Sequence, residues 1–205
     1  MARKINPIAF ITQKYNLSPK LGSVISLPDT RSGLAKLFQE LGYKVGAEIG
    51  VERGFYSKEM CEANPGVKLY CIDPWKVYRK WGELNNQHYL NANYNNTIKR
   101  LAPYNCEIIR RSSEGAVVGF EPNTLDFIYI DGNHNYDYVL RDLGGWAKII
   151  KTGGIVSGHD YRWRPHQGRA RDDVERAIIK HFELSGPKTL FLLSAQGSSS
   201  WFYVK

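Results

Sequence analysis

Four places along the chain put acidic, glycine or histidine residues where chemistry needs them. The first is Glu48-Ile49-Gly50-Val51-Glu52-Arg53-Gly54, with an acidic residue two positions before a glycine turn. A nicotinamide dinucleotide requires G-x-G-x-x-G, so that its pyrophosphate can approach a helix N-terminus, and this spacing does not supply it. A carboxylate at position 48 would repel a pyrophosphate. It can instead face a cation or accept a hydrogen bond from an ammonium, or it can be a satisfied side chain beside a tight turn. The second place is Asp73. A carboxylate about 20 residues past such a turn can accept both hydroxyls of a ribose, although Asp73-Pro74 also has the composition of a turn opener.

The third and fourth places are Asp131-Gly132-Asn133-His134-Asn135-Tyr136 and Gly158-His159-Asp160-Tyr161. At the ends of adjacent strands, Asp131, His159 and Asp160 would offer oxygen and nitrogen ligands to one divalent ion, and such a set suits Mg2+ or Mn2+ better than tetrahedral zinc. A metal-bound hydroxyl is more acidic than a free one, and Asp131 or His134 could then take its proton. His134 also reads as a residue that starts the next helix. Cys61, Cys71 and Cys106 are widely spaced, with no zinc pattern, and read as small core residues in a reducing compartment.

These residues are useful only if secondary structure brings them together. Leu34, Leu37, Phe38 and Leu41 recur at helical spacing before Gly42, which marks a leading amphipathic helix. Strands are expected over 45–49, 68–72, 106–109, 125–130, 155–157, 189–193 and 200–204. Helices are expected over 56–63, around Tyr94 to Leu101, from Val139 to a stop at Gly153-Gly154, and around Val174 to Phe182. Strands alternating with helices give an α/β layered fold with a mainly parallel seven-stranded sheet, closed by a C-terminal antiparallel hairpin. Ligands in such sheets bind beyond the carboxyl ends of the strands, where all four chemical motifs fall. Residues 1–30, with Pro7, Pro19 and Pro28 and no sustained period, read as an arm or lid, and residues 31–205 as one domain.

Taken together, the motifs resemble the class I S-adenosylmethionine (SAM)-dependent methyltransferases, in the branch of the macrocin O-methyltransferase-like enzymes. The likeness rests on Glu-Ile-Gly-x-x-x-Gly at 48–54, Ile-Asp-Pro-Trp at 72–75, Ile-Asp-Gly-x-His-x-Tyr at 130–136, Asp142 with Trp146, and Gly-Gly-Ile-x-x-x-His-Asp at 153–160. It implies a Rossmann-like three-layer sandwich and SAM as cofactor. Glu48, Gly50 and Gly54 would line the methionine end, Asp73 would hold the ribose and Ser112 would lie near the adenine. Asp131 would sit beside cofactor and acceptor and bind metal with Asp160 and His159. Many relatives carry a second glycine where this chain has Glu52.

Composition narrows the acceptor. With 205 residues, 42% hydrophobic and 23% charged, the chain is an ordinary globular domain, and no apolar run is long enough for a membrane span or an export signal. It therefore reads as cytoplasmic, without a membrane partner and compatible with a homo-oligomer. The net charge of +8 favours an anionic partner or solubility alone. Basic and aromatic residues follow two strand ends, at Trp75, Lys76, Tyr78, Arg79, Lys80 and Trp81 and again at Tyr161, Arg162, Trp163, Arg164, Arg169 and Arg171. Such a rim suits a small, hydroxylated, sugar-like or anionic acceptor. An RNA-directed methyltransferase or nucleic-acid-binding relative is the alternative that the same charge supports.

Overall fold

A computed structural model describes residues 5–77, 86–161, 173–195 and 200–205. The elements run α1 (Pro7–Lys14), β1 (Val24–Leu27), α2 (Arg31–Glu40), β2 (Val45–Ile49), α3 (Phe55–Ala63), β3 (Lys68–Ile72), α4 (Gln87–Leu101), β4 (Cys106–Ile109) and α5 (Ser113–Val117). They continue with β5 (Leu125–Ile130), α6 (Tyr136–Ile149), β6 (Ile150–Gly158), α7 (Asp173–Ser185), β7 (Leu190–Leu193) and β8 (Ser200–Val204).

One sheet runs in the order β1-β7-β8-β6-β5-β2-β3-β4. Strands β4, β3, β2, β5 and β6 are parallel, and β8 runs antiparallel to both β6 and β7, forming the expected hairpin. Because side chains alternate along a strand, β5 sends Phe127 and Tyr129 into a core beneath α1 to α4, and Ile128 and Ile130 into a second core beneath α5 to α7. A strand buried on both faces reads as a continuous apolar run, which is why Leu125 to Ile130 stands out in the sequence. Helices on both faces of the sheet complete the Rossmann-like sandwich.

The structure adds an eighth strand. The segment expected to be an arm or lid supplies β1, which pairs in parallel with β7, and α1, whose Ile11 is fully buried. The signals were local: Asn6 caps α1 by accepting from the Ala9 N–H, and Pro7 stands in the first turn. The stop expected for α6 at Gly153-Gly154 lies too late. The helix ends at Ile149, because Ile150 turns extended and enters β6 opposite Leu125. The C-terminal pairing of Gly153 with Lys205 then holds those glycines in the sheet. Helix α5, unforeseen, starts on a Ser112 cap whose hydroxyl accepts from the Gly115 N–H at 3.2 Å.

Candidate active site

The chain leaves β2 toward β3 on one side and β5 on the other, so a crevice opens where the strand order reverses. It is a cavity of about 560 Å3 lined by Glu48, Gly50, Asp73, Ser112, Asp131 and His134, with Arg31, Trp75, Ser113, Tyr138 and Asp142 among the other walls. That volume is in the range of nucleoside-sized ligand pockets.

Gly50 lets the strand ends approach. At φ +87° it occupies a conformation that L side chains avoid, and an added Cβ would lie 2.1 Å from the Asp131 carbonyl oxygen. The Asp131 N–H donates to the Ile49 carbonyl at 2.7 Å, which fixes the two strand ends against each other. Gly50→Ala is therefore expected to cost about 3 kcal/mol or more and to lower the melting temperature by roughly 6 to 12 °C. Thermal denaturation checks this, and an unchanged midpoint would show that the approach is not tight. Gly54, expected at the cofactor, does not line the cavity. It starts α3 at φ +71°, and its α-carbon faces Thr97 and Leu101 of α4.

Glu48 is 2% exposed, and the Ser57 hydroxyl donates to it from α3. Burial pushes its carboxyl up to about 8, against the opposing pull of that hydrogen bond, and the Asp131 charge adds to the rise. A buried carboxyl that resists ionisation beside a cavity is poised to ionise when a cation arrives. Asp73 is held by the turn it faces: its Oδ2 accepts from the Glu52 N–H at 2.9 Å and its Oδ1 from the Trp75 N–H at 2.6 Å. Burial raises its pKa despite those two donors. Each oxygen keeps acceptor capacity for a hydroxyl. Glu52 and Trp75 both take positive φ to build this turn, and the Trp75 indole N–H donates to the Glu52 carbonyl at 2.7 Å.

Asp131, His134, His159 and Asp160 do meet. His134 bridges two carboxylates, with Nε2 at 3.2 Å from Asp131 Oδ1 and Nδ1 at 3.0 Å from Asp160 Oδ2. His159 Nδ1 lies 2.8 Å from Asp160 Oδ1 and 3.6 Å from Asp131 Oδ1. Burial opposes the charged forms, yet the imidazole contacts hold Asp160 below its ordinary pKa and the carboxylates hold His159 above its own. The expected metal ligands are thus paired with imidazoles. Among the described residues, no group of three or more His, Cys, Asp or Glu side chains is arranged to hold a metal ion. As placed, these four side chains are paired with one another.

Sequence reasoning missed three contributors. Ser57, the Glu48 partner, carries no motif. Arg31 lines the cavity with its guanidinium over the Tyr56 ring. Ser113 receives the Trp146 indole N–H at 2.8 Å and donates to Asp142, whose carboxyl burial pushes up to about 6. Asp142 and Trp146 stand four residues apart on one face of α6, a spacing that flags the pair but not the serine. The basic rim residues from Tyr78 to Trp81 and from Arg162 to Arg171 lie outside the described residues.

Comparisons with known proteins place this geometry. Among the solved structures that share the fold, the O-methyltransferase TomG from Streptomyces achromogenes, in complex with SAM, has a TM-score of 0.60 at 15% identity, covering 99% of this chain and 91% of that one. The O-methyltransferase from Bacillus cereus, in complex with SAH, has a TM-score of 0.58 at 15% identity, covering 100% and 93%. Among curated proteins, the uncharacterized protein R132 of Acanthamoeba polyphaga mimivirus is 38% identical over 47 residues, 22% of this chain and 21% of that one. The uncharacterized protein y4gI of Sinorhizobium fredii is 23% identical over 124 residues, 58% of this chain and 13% of that one. The chain thus spans about a fifth or less of the length of these curated relatives. The family described as "Methyltransferase domain" matches residues 47–161, from the buried strand of Glu48 to the end of the His159-Asp160 pair. That stretch is more than half of the sequence and contains the walls of the crevice apart from Arg31, so the chain belongs to the methyltransferase-domain family.

Proposed function

We propose that the chain transfers the methyl group of SAM to a hydroxyl oxygen of a small acceptor. The observation that carries this reading is the presence of Glu48, Asp73 and Asp131 in the wall of one cavity, at the carboxyl ends of three adjacent parallel strands. Asp73 is at the far strand, where it can take both ribose hydroxyls. Glu48 lies deeper, where an ammonium or sulfonium would find a carboxylate. Ser112, Ser113 and Asp142 also line the cavity and offer polar groups for the base.

Methyl transfer from a sulfonium is an in-line displacement, so holding the acceptor oxygen close to the methyl carbon supplies much of the rate. The acceptor hydroxyl must also lose its proton. Asp131 lines the cavity and can receive that proton, with His134 beside it and held on its other side by Asp160. Transfer that survives EDTA supports the side-chain route, whereas a loss reversed by Mg2+ would move the hydroxyl onto an ion. The acceptor is sugar-like or anionic, of the kind handled by macrocin O-methyltransferase-like enzymes, a reading supported by Arg31, Arg53 and Lys76 in the cavity wall.

Calorimetry tests the cofactor. SAM and its demethylated product S-adenosylhomocysteine are expected to bind the folded chain, and Asp73→Ala is expected to weaken both by on the order of 100-fold, since a charged acceptor of two hydroxyls is lost. No heat with either nucleoside would refute the assignment.

A further inference from the structure

The three cysteines, far apart in sequence, meet beneath the first core. Cys61 on α3, Cys71 on β3 and Cys106 on β4 all pack in one apolar cluster, and the Cys61 and Cys106 sulfurs stand 3.4 Å apart. Cys71 is one diagonal step from Cys106, because Leu69 is the residue in register with Cys106, and its thiol is directed at the Leu69 carbonyl, 4.0 Å away. We propose that Cys61 and Cys106 are a reversible redox site, which a small-molecule disulfide such as oxidised glutathione closes into a bond joining α3 to the edge strand β4.

The roles of the two sulfurs differ. Cys106 is partly exposed, whereas Cys61 and Cys71 are buried. The Cys61 thiol 3.4 Å away, with the Lys68 ammonium nearby, holds the Cys106 thiol below its ordinary value. The same contact pushes Cys61 up, and burial adds to the rise. Cys106, the sulfur of the three that a disulfide in solution can reach, is the attacking thiolate. It bonds to one sulfur of glutathione disulfide and expels the first glutathione thiolate. Once Cys106 is capped, its negative charge is gone and the main cause holding the proton on Cys61 goes with it. Cys61 then gives up that proton, attacks the Cys106 sulfur and expels the second glutathione. Two protein thiols are oxidised, one glutathione disulfide is reduced, and the protons given up by Cys106 and Cys61 end on the two expelled glutathione thiolates as two glutathione thiols. A sulfur movement of little more than 1 Å suffices, since a disulfide spans about 2.05 Å.

The test is oxidation of the reduced, folded chain with glutathione disulfide, followed by alkylation of free thiols and non-reducing peptide mapping. The expected product carries a Cys61–Cys106 bridge with Cys71 alkylated, and dithiothreitol reverses it. In urea the favoured bridge should become Cys61–Cys71, which closes the shortest loop. Cys71→Ser should retain the folded-state bridge, and Cys106→Ser should react with glutathione disulfide at least tenfold more slowly. Three alkylated thiols, a glutathione adduct that stays on Cys106, or a folded-state bridge through Cys71 would each overturn the proposal.

Discussion

Replacing Glu48 with Gln is expected to stabilise the ligand-free protein while weakening its hold on SAM. The sign follows from the raised carboxyl. In the folded chain Glu48 titrates at about 8, against 4.5 for the free group, so folding favours its protonated form. Its penalty is absent below the unfolded value and grows as pH rises from 4.5 toward 8. Above that it levels off at on the order of 5 kcal/mol. Gln carries no such penalty and can still accept from Ser57. The variant should therefore melt higher than the wild type at pH 8 and about equally at pH 4.5. Its SAM affinity should fall by roughly 10- to 100-fold, the worth of a charge-assisted contact.

The same carboxyl makes a second readout. The raised carboxyl favours a proton on Glu48 in the ligand-free protein, and a bound cation would release it, so binding at pH 7 should liberate up to about one proton. Calorimetry in buffers of different ionisation enthalpy measures that number directly. In Glu48→Gln the release from this site should vanish. A variant that melts and binds like the wild type would mean that Glu48 merely fills space beside Ser57.

Asp131→Asn should separate binding from chemistry. The side chain keeps its shape, and the backbone contact from the residue 131 N–H to the Ile49 carbonyl is unaffected, so SAM affinity should change by less than about threefold. What Asn cannot do is accept the acceptor's proton. The rate of transfer to a hydroxylated acceptor should fall by about 10²- to 10⁴-fold, the usual contribution of a positioned base. His134→Ala should lose less, since it leaves the Asp131 carboxylate in the cavity. Equal losses in SAM affinity and in rate for Asp131→Asn would assign the residue to the cofactor instead of the acceptor.

Much of the architecture was legible because local signals agreed with it. The apolar run Leu125 to Ile130 announced a strand covered on both faces, and the residues at the carboxyl ends of β2, β3 and β5 marked the crevice through Glu48, Gly50, Asp73 and Asp131. Elements whose signals were short escaped notice. Strand β1 has four residues and helix α5 has five, too few for periodicity to stand out. The end of α6 was misplaced for another reason: pairing with β5 claimed Ile150 before the glycines could act as a helix stop.

What the sequence determined by itself is the set of strand ends and the chemistry each one carries, because residue type and spacing are local properties of the chain. What only the tertiary structure decided is which of these groups touch. Ser57 reaches Glu48 from a neighbouring helix, His134 lies between Asp131 and Asp160, Gly54 turns toward α4, and Cys61 finds Cys106. Each of these contacts depends on the angle and depth at which helices settle on a twisted sheet. Packing across both cores sets that geometry, and no short window of sequence contains it.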